Sequence, residues 1–155
     1  MPKQSAGLLV FRISGGLEVL LVHPGGPFWA RKDDGVWSVP KGEYLDPEPA
    51  REAAYREFLE EVGITPPAGE WIDLGRVRLS SGKIVTSFAV EGDLDLAAFR
   101  SNTFEMEWPR WSGRKQSFPE VDRAEWFPLR IARTKLSKSQ APFLDRLAQH
   151  LQITT

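Results

Sequence analysis

Two apolar runs near the start of the chain predict a pair of neighbouring strands. Residues 6–13 and 17–23 are almost continuously hydrophobic, and Ser14-Gly15-Gly16 between them is a typical hairpin turn. Because successive positions are apolar, both faces of each strand are expected to be buried, as in the centre of a sheet. A polar loop rich in Pro and Gly follows over 24–35, and residues 37–40 are predicted to be extended.

The best helical pattern covers residues 47–62. Asp46 is a suitable N-cap, Pro47 suits the first helical position, and Gly63 can end the helix. The apolar stripe of this helix recurs every four residues, at Ala54, Phe58 and Val62. One face of the helix is therefore expected to pack against the strands.

Shorter patterns complete the predicted elements. Further strands are expected at 72–79, 84–90, 104–108 and 121–127, with a helical turn at 94–99 and a basic, aromatic loop at 109–119. A last helix is predicted to begin after Ser139, a candidate N-cap. It is indicated by the helical spacing of Phe143, Leu144, Leu147, Ala148 and Leu151. The order of strands, helix, strands and helix predicts an α/β fold, and the length predicts one domain over residues 1–155.

Composition removes several kinds of chemistry. The chain has no cysteine, so disulfides, thiolate zinc sites and cysteine nucleophiles are excluded. Its two histidines, His23 and His150, are too far apart in sequence for a histidine-rich metal motif. The net charge of -1, from 20 basic and 21 acidic residues, gives no global attraction for nucleic acid or an anionic membrane.

Hydrophobic segments of the chain are short. The first apolar run, 6–11, is too short for the core of a signal peptide, and no segment approaches the ~20 apolar residues of a membrane span. We therefore expect a cytoplasmic protein.

Three glutamates share one face of the first predicted helix. Glu57, Glu60 and Glu61 stand at i, i+3 and i+4 and fall within an arc of about 100°. An acidic face is usually a solvated one. However, like charges at this spacing destabilise a helix unless something neutralises them, and such broken local rules are typical of functional sites. Carboxylate oxygens are ligands for Mg²⁺, which also bridges phosphate oxygens.

The segment around these glutamates carries a known motif. From Gly42 the chain reads GEYLDPEPAREAAYREFLEEVGI. It resembles, at every position, the Nudix box G-x5-E-x7-R-E-U-x-E-E-x-G-U, in which U is a bulky apolar residue. Such a match arises by chance on the order of once in ten million chains of this length. The matching residues are Gly42, Glu48, Arg56, Glu57, Phe58, Glu60, Glu61, Gly63 and Ile64.

The resemblance implies both a fold and an activity. The Nudix fold is a three-layer α/β/α sandwich around a mixed β-sheet, and Nudix hydrolases act on phosphoric anhydrides. They use water and Mg²⁺, with Mn²⁺ as a possible substitute, to cleave a nucleoside diphosphate linked to another group. Positions in the box imply that Glu57 and Glu61 are the main metal ligands, with Glu60 and the carbonyl of Lys41 as further ligands.

The resemblance also assigns the other site residues. Arg56 is implied to hold the glutamates through charge-assisted hydrogen bonds, and Glu48 either supports the metal site or only favours the helix start. A carboxylate must accept the proton of the attacking water. Glu57 is the first candidate, but many relatives use a later loop glutamate, for which Glu120 fits best and Glu105 is second. The candidate catalytic residues are Glu57, Arg56, Glu60 and Glu120.

Substrate recognition is expected in loops outside the box. One aromatic and basic cluster lies within 28–32, and a second around Trp111. Aromatic rings can stack on a base and cations can hold phosphates, although packing is an equal explanation for the tryptophans. Lys41 beside Gly42 resembles the phosphate-contacting position of dinucleoside polyphosphate hydrolases. The candidate substrate-binding residues are Lys41, Arg31, Lys32, Phe28, Trp29 and Trp111.

These observations favour a metal-dependent pyrophosphohydrolase acting on a nucleoside polyphosphate or a dinucleoside polyphosphate. A Nudix-fold binding or regulatory module without hydrolysis is one alternative, but such modules usually lose box glutamates, and all are present here. An RNA end-processing pyrophosphohydrolase is the other, although the near-neutral charge disfavours long nucleic acids. The expected partner is a small nucleotide, without a membrane, and the chain is expected to be a monomer or homodimer.

Overall fold

The predicted hairpin lies at the centre of the sheet. The structure, a computed structural model, describes residues 2–153. In it β1 (Gln4–Ile13) and β2 (Leu17–Pro24) pair antiparallel. β1 also pairs in parallel with β5 (Ile84–Glu91), with Gln4 opposite Ile84 and Phe11 opposite Glu91. The continuous hydrophobicity of β1 and β2 is explained by their position, because nearly all of their residues are buried on both faces.

The remaining strands make the sheet mixed and six-stranded. β4 (Ile72–Arg78) pairs antiparallel with β5, and β8 (Val121–Pro128) pairs antiparallel with β2. The strand order is β4-β5-β1-β2-β8, and β3 (Lys41–Tyr44) pairs with the first half of β1. A separate two-stranded hairpin joins β6 (Thr103–Glu107) to β7 (Lys115–Pro119).

One side of β1 changes partner part-way along the strand. Its first residues pair with β3, where Gly7 lies opposite Lys41, whereas its last residues pair with β2. At this fork Leu8 N donates to Pro40 O at 3.1 Å. A Cβ on Gly7 would lie 2.8 Å from Pro40 O, so only glycine allows the two backbones this close. The fork places the start of the acidic segment against the middle of the sheet.

Helices cover both faces of the sheet. On one face α1 (Ala50–Val62) buries Ala54, Phe58 and Val62 against Leu8 and Val10 of β1. The other face is covered by α2 (Leu129–Lys135) and α3 (Ala141–His150), which bury a second cluster on the alternate residues of β1. The predicted three-layer α/β/α sandwich around a mixed sheet is confirmed. No helix within residues 2–153 has the length and apolarity needed to cross a membrane.

Both predicted N-caps are wrong. Helix α1 begins at Ala50 rather than Pro47, and the residue before it, Pro49, makes no side-chain cap, so Asp46 lies too early to cap it. Helix α3 begins at Ala141, beyond Ser139. Gln140 there is buried, and its Oε1 accepts a hydrogen bond from Val39 N at 3.0 Å, so tertiary packing sets the start of this helix.

The C-terminal end of α1 is as predicted. Gly63 has a left-handed φ of 75° and donates its N–H to Leu59 O at 2.9 Å. A Cβ at Gly63 would collide with the carbonyl oxygen of Arg100, which lies directly against this turn. Gly63 therefore serves both as the helix end and as a contact point for a distant segment.

Three other predictions needed correction. The second half of the predicted loop 109–119 is β7, whose mostly exposed residues carry no apolar alternation and pair through the backbone. Residues 37–40 form only isolated pairs, at Trp37 and Ser38, and the regular strand β3 begins at Lys41. The seven residues of α2 were not predicted, because so short a helix shows little periodicity.

Replacing Gly63 by alanine is expected to destabilise the fold more than the same change at Gly82. Both residues have a left-handed φ, 75° and 91°, so each substitution costs about 1–2 kcal/mol of backbone strain. Only Gly63 faces a neighbouring backbone, which adds about 1–3 kcal/mol. Urea unfolding of both variants measures the difference in the free energy of unfolding. Equal losses of stability would show that the backbone at Arg100 moves away at little cost.

Candidate active site

Helix α1 and strand β3 meet at a glycine. A Cβ at Gly42 would collide with the Glu57 carboxylate, so the absence of a side chain lets this carboxylate lie directly on the β3 backbone. Glu57 is buried, with 8% of its surface exposed, although it is ionisable. The burial of a carboxylate against a strand needs a partner, and the neighbouring residue supplies it.

Arg56 pairs with three of the acidic residues of the box. Its Nη1 lies 2.7 Å from Glu57 Oε1 and 3.6 Å from Glu60 Oε1. Its Nε and Nη2 donate to the two oxygens of Glu48 at 3.1 and 2.9 Å, a bidentate arrangement. These contacts lower the pKa of Glu48 and raise that of Arg56. The geometry fits the predicted role of Arg56 in holding the glutamates, and it places Glu48 in the same network.

Glu61 faces the backbone of Lys41. Its Oε1 accepts a hydrogen bond from Lys41 N at 3.1 Å. Burial raises the pKa of Glu61 to about 8, against the lowering effects of this hydrogen bond and of the Lys41 ammonium. The negative charges of Glu57 and Glu120 raise it further. Glu61 is therefore a carboxyl whose charge is poorly compensated by the protein alone.

The other carboxylates of the site are affected in the same direction. Burial raises the pKa of Glu57 and of Glu120, and in both cases the negative charge of Glu60 adds to the effect. Arg56 only partly offsets this at Glu57. The common cause is burial, to which the surrounding negative charge adds, and a bound cation would offset both.

A chain of backbone hydrogen bonds brings Glu120 to this cluster. Asn102 N donates to Glu60 O at 2.8 Å, and Glu120 N donates to Asn102 O at 2.8 Å. Gly25 N in turn donates to Glu120 O at 2.9 Å. Residue 120 is therefore fixed beside the last turn of α1, whereas Glu105 is an exposed residue of β6. The geometry favours Glu120 over Glu105 as the loop carboxylate.

The donor set suits a hard divalent cation. All of its side-chain donors are carboxylate oxygens, the ligands that Mg²⁺ prefers. Within residues 2–153, no three acidic or histidine side chains already converge on a common metal position. The fit to Mg²⁺ therefore depends on the chemistry and raised pKa values of these carboxyls, not on a preformed cage.

The predicted substrate residues lie on two exposed segments beside the cluster. The loop after β2 begins at Gly25, next to Glu120, and carries Phe28, Trp29, Arg31 and Lys32 on the surface. Within it the Lys32 ammonium lies 5.1 Å from the centre of the Trp29 ring. Trp111 is 92% exposed, in the turn between β6 and β7, and is separated from Glu120 by the whole of β7.

The two segments meet at one point. The rings of Phe28 and Trp108 are 6.3 Å apart, and the Arg110 guanidinium lies 5.3 Å from the Phe28 ring. The two aromatic and basic clusters predicted from the sequence therefore form one continuous surface. Lys41 is separate from it, half-buried in β3, where burial lowers the pKa of its ammonium.

The family model described as NUDIX domain matches residues 1–147 of this sequence. This match covers nearly the whole chain. The chain belongs to the Nudix family. Within 54 residues it is 41% identical to the RNA pyrophosphohydrolase of Hahella chejuensis (strain KCTC 2396). That segment is 34% of this chain and 34% of the relative, so about a third of the relative's length is matched.

Solved structures share the fold of this Nudix domain. The NUDIX domain of Shewanella oneidensis NrtR, complexed with ADP ribose, has a TM-score of 0.67 at 18% identity, covering 97% of this chain and 89% of its own. The Ap4A hydrolase of C. elegans, as a binary complex, has a TM-score of 0.63 at 21% identity, covering 96% and 98%. Together with the family match, these neighbours show that the chain has the Nudix fold.

Some residues that build this Nudix site gave no signal in the sequence. Asn102 contributes only its backbone, and Gly7 acts by allowing two strands to approach. Neither residue carries chemistry of its own, so neither could be selected by residue type. The placement of Gly25 beside Glu120 was also hidden, because it depends on the pairing of β2 with β8.

Replacing Glu61 by glutamine is expected to stabilise the metal-free Nudix domain at alkaline pH. The pKa of Glu61 is about 8 in the folded protein, against about 4.3 in an unfolded chain. Its contribution to stability is therefore complete below about pH 4.3 and is lost as the pH rises through 8. Glutamine resembles the protonated form and avoids this loss.

Melting temperatures in excess chelator test this. The melting temperature of the glutamine variant should equal that of the wild type at pH 4.5 and lie a few degrees above it at pH 8.5. Glu52→Gln, in the exposed first turn of the same helix, is the control and should show no gain. Equal melting of Glu61→Gln and wild type at pH 8.5 would contradict the prediction.

Proposed function

We propose that this Nudix domain is a divalent-metal-dependent pyrophosphohydrolase that cleaves a phosphoanhydride bond in a nucleoside polyphosphate or dinucleoside polyphosphate. The observation that carries the proposal is the placement of four carboxyl residues at the junction of α1 and β3. Glu61 accepts a hydrogen bond from Lys41 N, Glu57 lies against Gly42, and the backbone of Asn102 joins Glu60 to Glu120. Three of these carboxyls have raised pKa values. Such a concentration of negative charge is costly for folding and useful for holding a cation over a phosphate.

In the proposed mechanism the helix holds the metal and the loop moves the proton. Glu57, Glu60, Glu61 and the Lys41 carbonyl would hold Mg²⁺, which when bound neutralises phosphate charge and makes water easier to deprotonate. Arg56 fixes the Glu57 carboxylate at 2.7 Å, so this ligand is oriented before substrate arrives. The chain needs no covalent intermediate, which agrees with the absence of cysteine.

Two carboxylates remain candidates for the base. Glu57 is engaged by Arg56 and is assigned to the metal, whereas Glu120 makes no ion pair within residues 2–153. The raised pKa of Glu120 also makes it a stronger proton acceptor. We favour Glu120 as the group that accepts the proton of the attacking water.

Substrate recognition is assigned to residues outside the helix. The half-buried ammonium of Lys41 lies near Glu61 and would attract the phosphates beyond the one that is attacked. Phe28, Trp29, Arg31 and Lys32 lie on the surface loop that begins at Gly25, whose N–H donates to Glu120 O. The base of the nucleotide would stack in this loop, with the cations available to its phosphates.

RNA ends are the second candidate substrate. The 54-residue match is to a protein named RNA pyrophosphohydrolase. In addition, the β6–β7 turn presents the exposed Trp111 among the cations Arg110, Arg114 and Lys115, which could stack and hold a second nucleotide. A 5′-triphosphorylated oligoribonucleotide therefore belongs among the substrates tested.

A panel of nucleotides tests the activity itself. Purified protein with Mg²⁺ is expected to release phosphate products from at least one member of a panel of nucleoside polyphosphates, dinucleoside polyphosphates, ADP-ribose and 5′-triphosphorylated RNA. Turnover should disappear in excess chelator and fall by about a hundredfold or more in Glu61→Gln, as for loss of a group stabilising developing charge.

The outcomes of that panel separate the alternatives. Tight binding of a nucleotide without any product would favour a sensing module. Full turnover by Glu61→Gln, or in chelator, would overturn the assignment of the metal site. Glu52→Gln should turn over at the wild-type rate, because Glu52 is exposed in the first helical turn, away from the cluster.

Replacing Lys41 by methionine is expected to lower kcat/KM by a factor that grows with the number of phosphates in the substrate. The change keeps the backbone of β3 and most of the stem but removes the cation. The loss in kcat/KM should be greater for a dinucleoside tetraphosphate than for a diphosphate, whereas Trp29→Ala should change the preference among bases by about 1–3 kcal/mol. Identical substrate rankings in all variants would show that these side chains only pack.

A further inference from the structure

His23 is the most enclosed ionisable side chain outside the carboxylate cluster. It lies near the end of β2, is 0% exposed, and packs edge-on against the Trp37 ring with 5.2 Å between ring centres. Nothing in the proposed mechanism uses it. A histidine at such a position is satisfied only if both ring nitrogens have suitable partners.

Both partners of His23 are hydrogen-bond acceptors. Nδ1 lies 2.7 Å from Asp122 Oδ1, and Nε2 lies 2.6 Å from the carbonyl oxygen of Lys32. Each ring nitrogen therefore contacts a different segment of the chain.

Charged groups surround the contacts of His23. Asp122 is 30% exposed at its side chain, and the Arg123 Nε lies 3.8 Å from its Oδ1. Asp33 accepts a hydrogen bond from Trp37 Nε1 at 2.8 Å and pairs with Lys135 at 2.6 Å. Asp122 is thus the only acid that contacts the ring among residues 2–153. The cost of burying the polar ring is offset by its contacts with Asp122 and the Lys32 carbonyl.

The two acceptors belong to the two segments that complete the site. Lys32 ends the run that carries Phe28, Trp29 and Arg31, whereas Asp122 follows Glu120 by two residues in β8. The near end of this loop is already fixed, because Gly25 N donates to Glu120 O at 2.9 Å. The contacts of His23 close the far end.

We infer that His23 is a positioning residue that ties the substrate loop, residues 25–32, to the segment bearing Glu120. The inference rests on the proposed function for its effect on catalysis, but not for the tether. Loss of either contact of the ring loosens the loop and weakens substrate binding, while Glu120 keeps its own backbone bonds.

The contacts of the ring can be observed directly. The chain has two histidines, so His150→Gln leaves His23 alone in a long-range ¹H–¹⁵N correlation spectrum. Adding Asp122→Ala to this variant should change the chemical shift of Nδ1, which loses its partner. Unchanged ring resonances would overturn the inference.

Asp122→Asn provides the sharpest variant. The asparagine amide can still hydrogen-bond to Nδ1, and Nε2 can then donate to the Lys32 carbonyl, so the tether survives. The variant should keep KM within about twofold of the wild-type value. Asp122→Ala offers no such donor or acceptor and should raise KM about tenfold through a loosened loop, with kcat changed less than twofold.

Hydrogen exchange measures the tether without any enzyme assay. Protection factors of the loop amides should fall in Asp122→Ala and stay near the wild-type values in Asp122→Asn. Asp145→Asn, which removes an exposed acid on α3, is the matched control and should follow the wild type. The same protection profile in wild type and Asp122→Ala would overturn the inference.

The kinetic and structural results separate two failures. If the wild type hydrolyses no nucleotide, the proposed function fails, and the spectra and protection factors still decide whether His23 holds the loop. If the wild type is active and Asp122→Ala leaves KM unchanged, the tether plays no part in binding, and only this inference fails.

Discussion

The site depends on the close approach of helix α1 to strand β3. Gly42 has no side chain, so the Glu57 carboxylate lies against the strand, and Glu61 accepts a hydrogen bond from the Lys41 amide on the preceding residue. Two acidic side chains are therefore anchored to one short stretch of backbone. Burial raises the pKa of both Glu57 and Glu61, and the negative charge of neighbouring glutamates adds to the effect. Arg56 offsets it only in part, at Glu57.

Close backbone contacts at three other glycines position the parts of the site that lie outside the box. Gly7 lets β3 pair with β1, Gly63 lets the segment at Arg100 lie against the end of α1, and Gly25 lies against Pro119. In each case a side chain would collide with a neighbouring backbone atom. The result is a continuous path of main-chain contacts from α1 through Asn102 to Glu120, so the loop carboxylate is placed by backbone bonds rather than by its own side chain.

Sequence reasoning succeeded where a signal was local and strong. The hairpin of β1 and β2, the apolar stripe of α1 and its end at Gly63 follow from hydrophobic pattern and turn chemistry, and the box fixed the family. The helix starts were wrong, because α3 begins where Gln140 is held by Val39 rather than at a polar cap. Strand β7 was missed because its pairing is carried by backbone bonds between exposed residues. The hydrogen bonds of His23 could not be predicted either, because they join it to residues 9 and 99 positions away in the sequence.

The structure divides the two tasks of such an enzyme between different kinds of element. The carboxylates that would hold the metal belong to a helix packed on the sheet through Ala54, Phe58 and Val62, so their positions are set by the core. The residues that would choose the substrate lie on exposed loops, held at few points, of which Gly25 and His23 are two. Gly25 and His23 are not among the core residues that pack α1 on the sheet. Substitutions in the loop can therefore occur without displacing the metal ligands. The fold therefore permits substrate choice to vary while the acidic cluster stays the same.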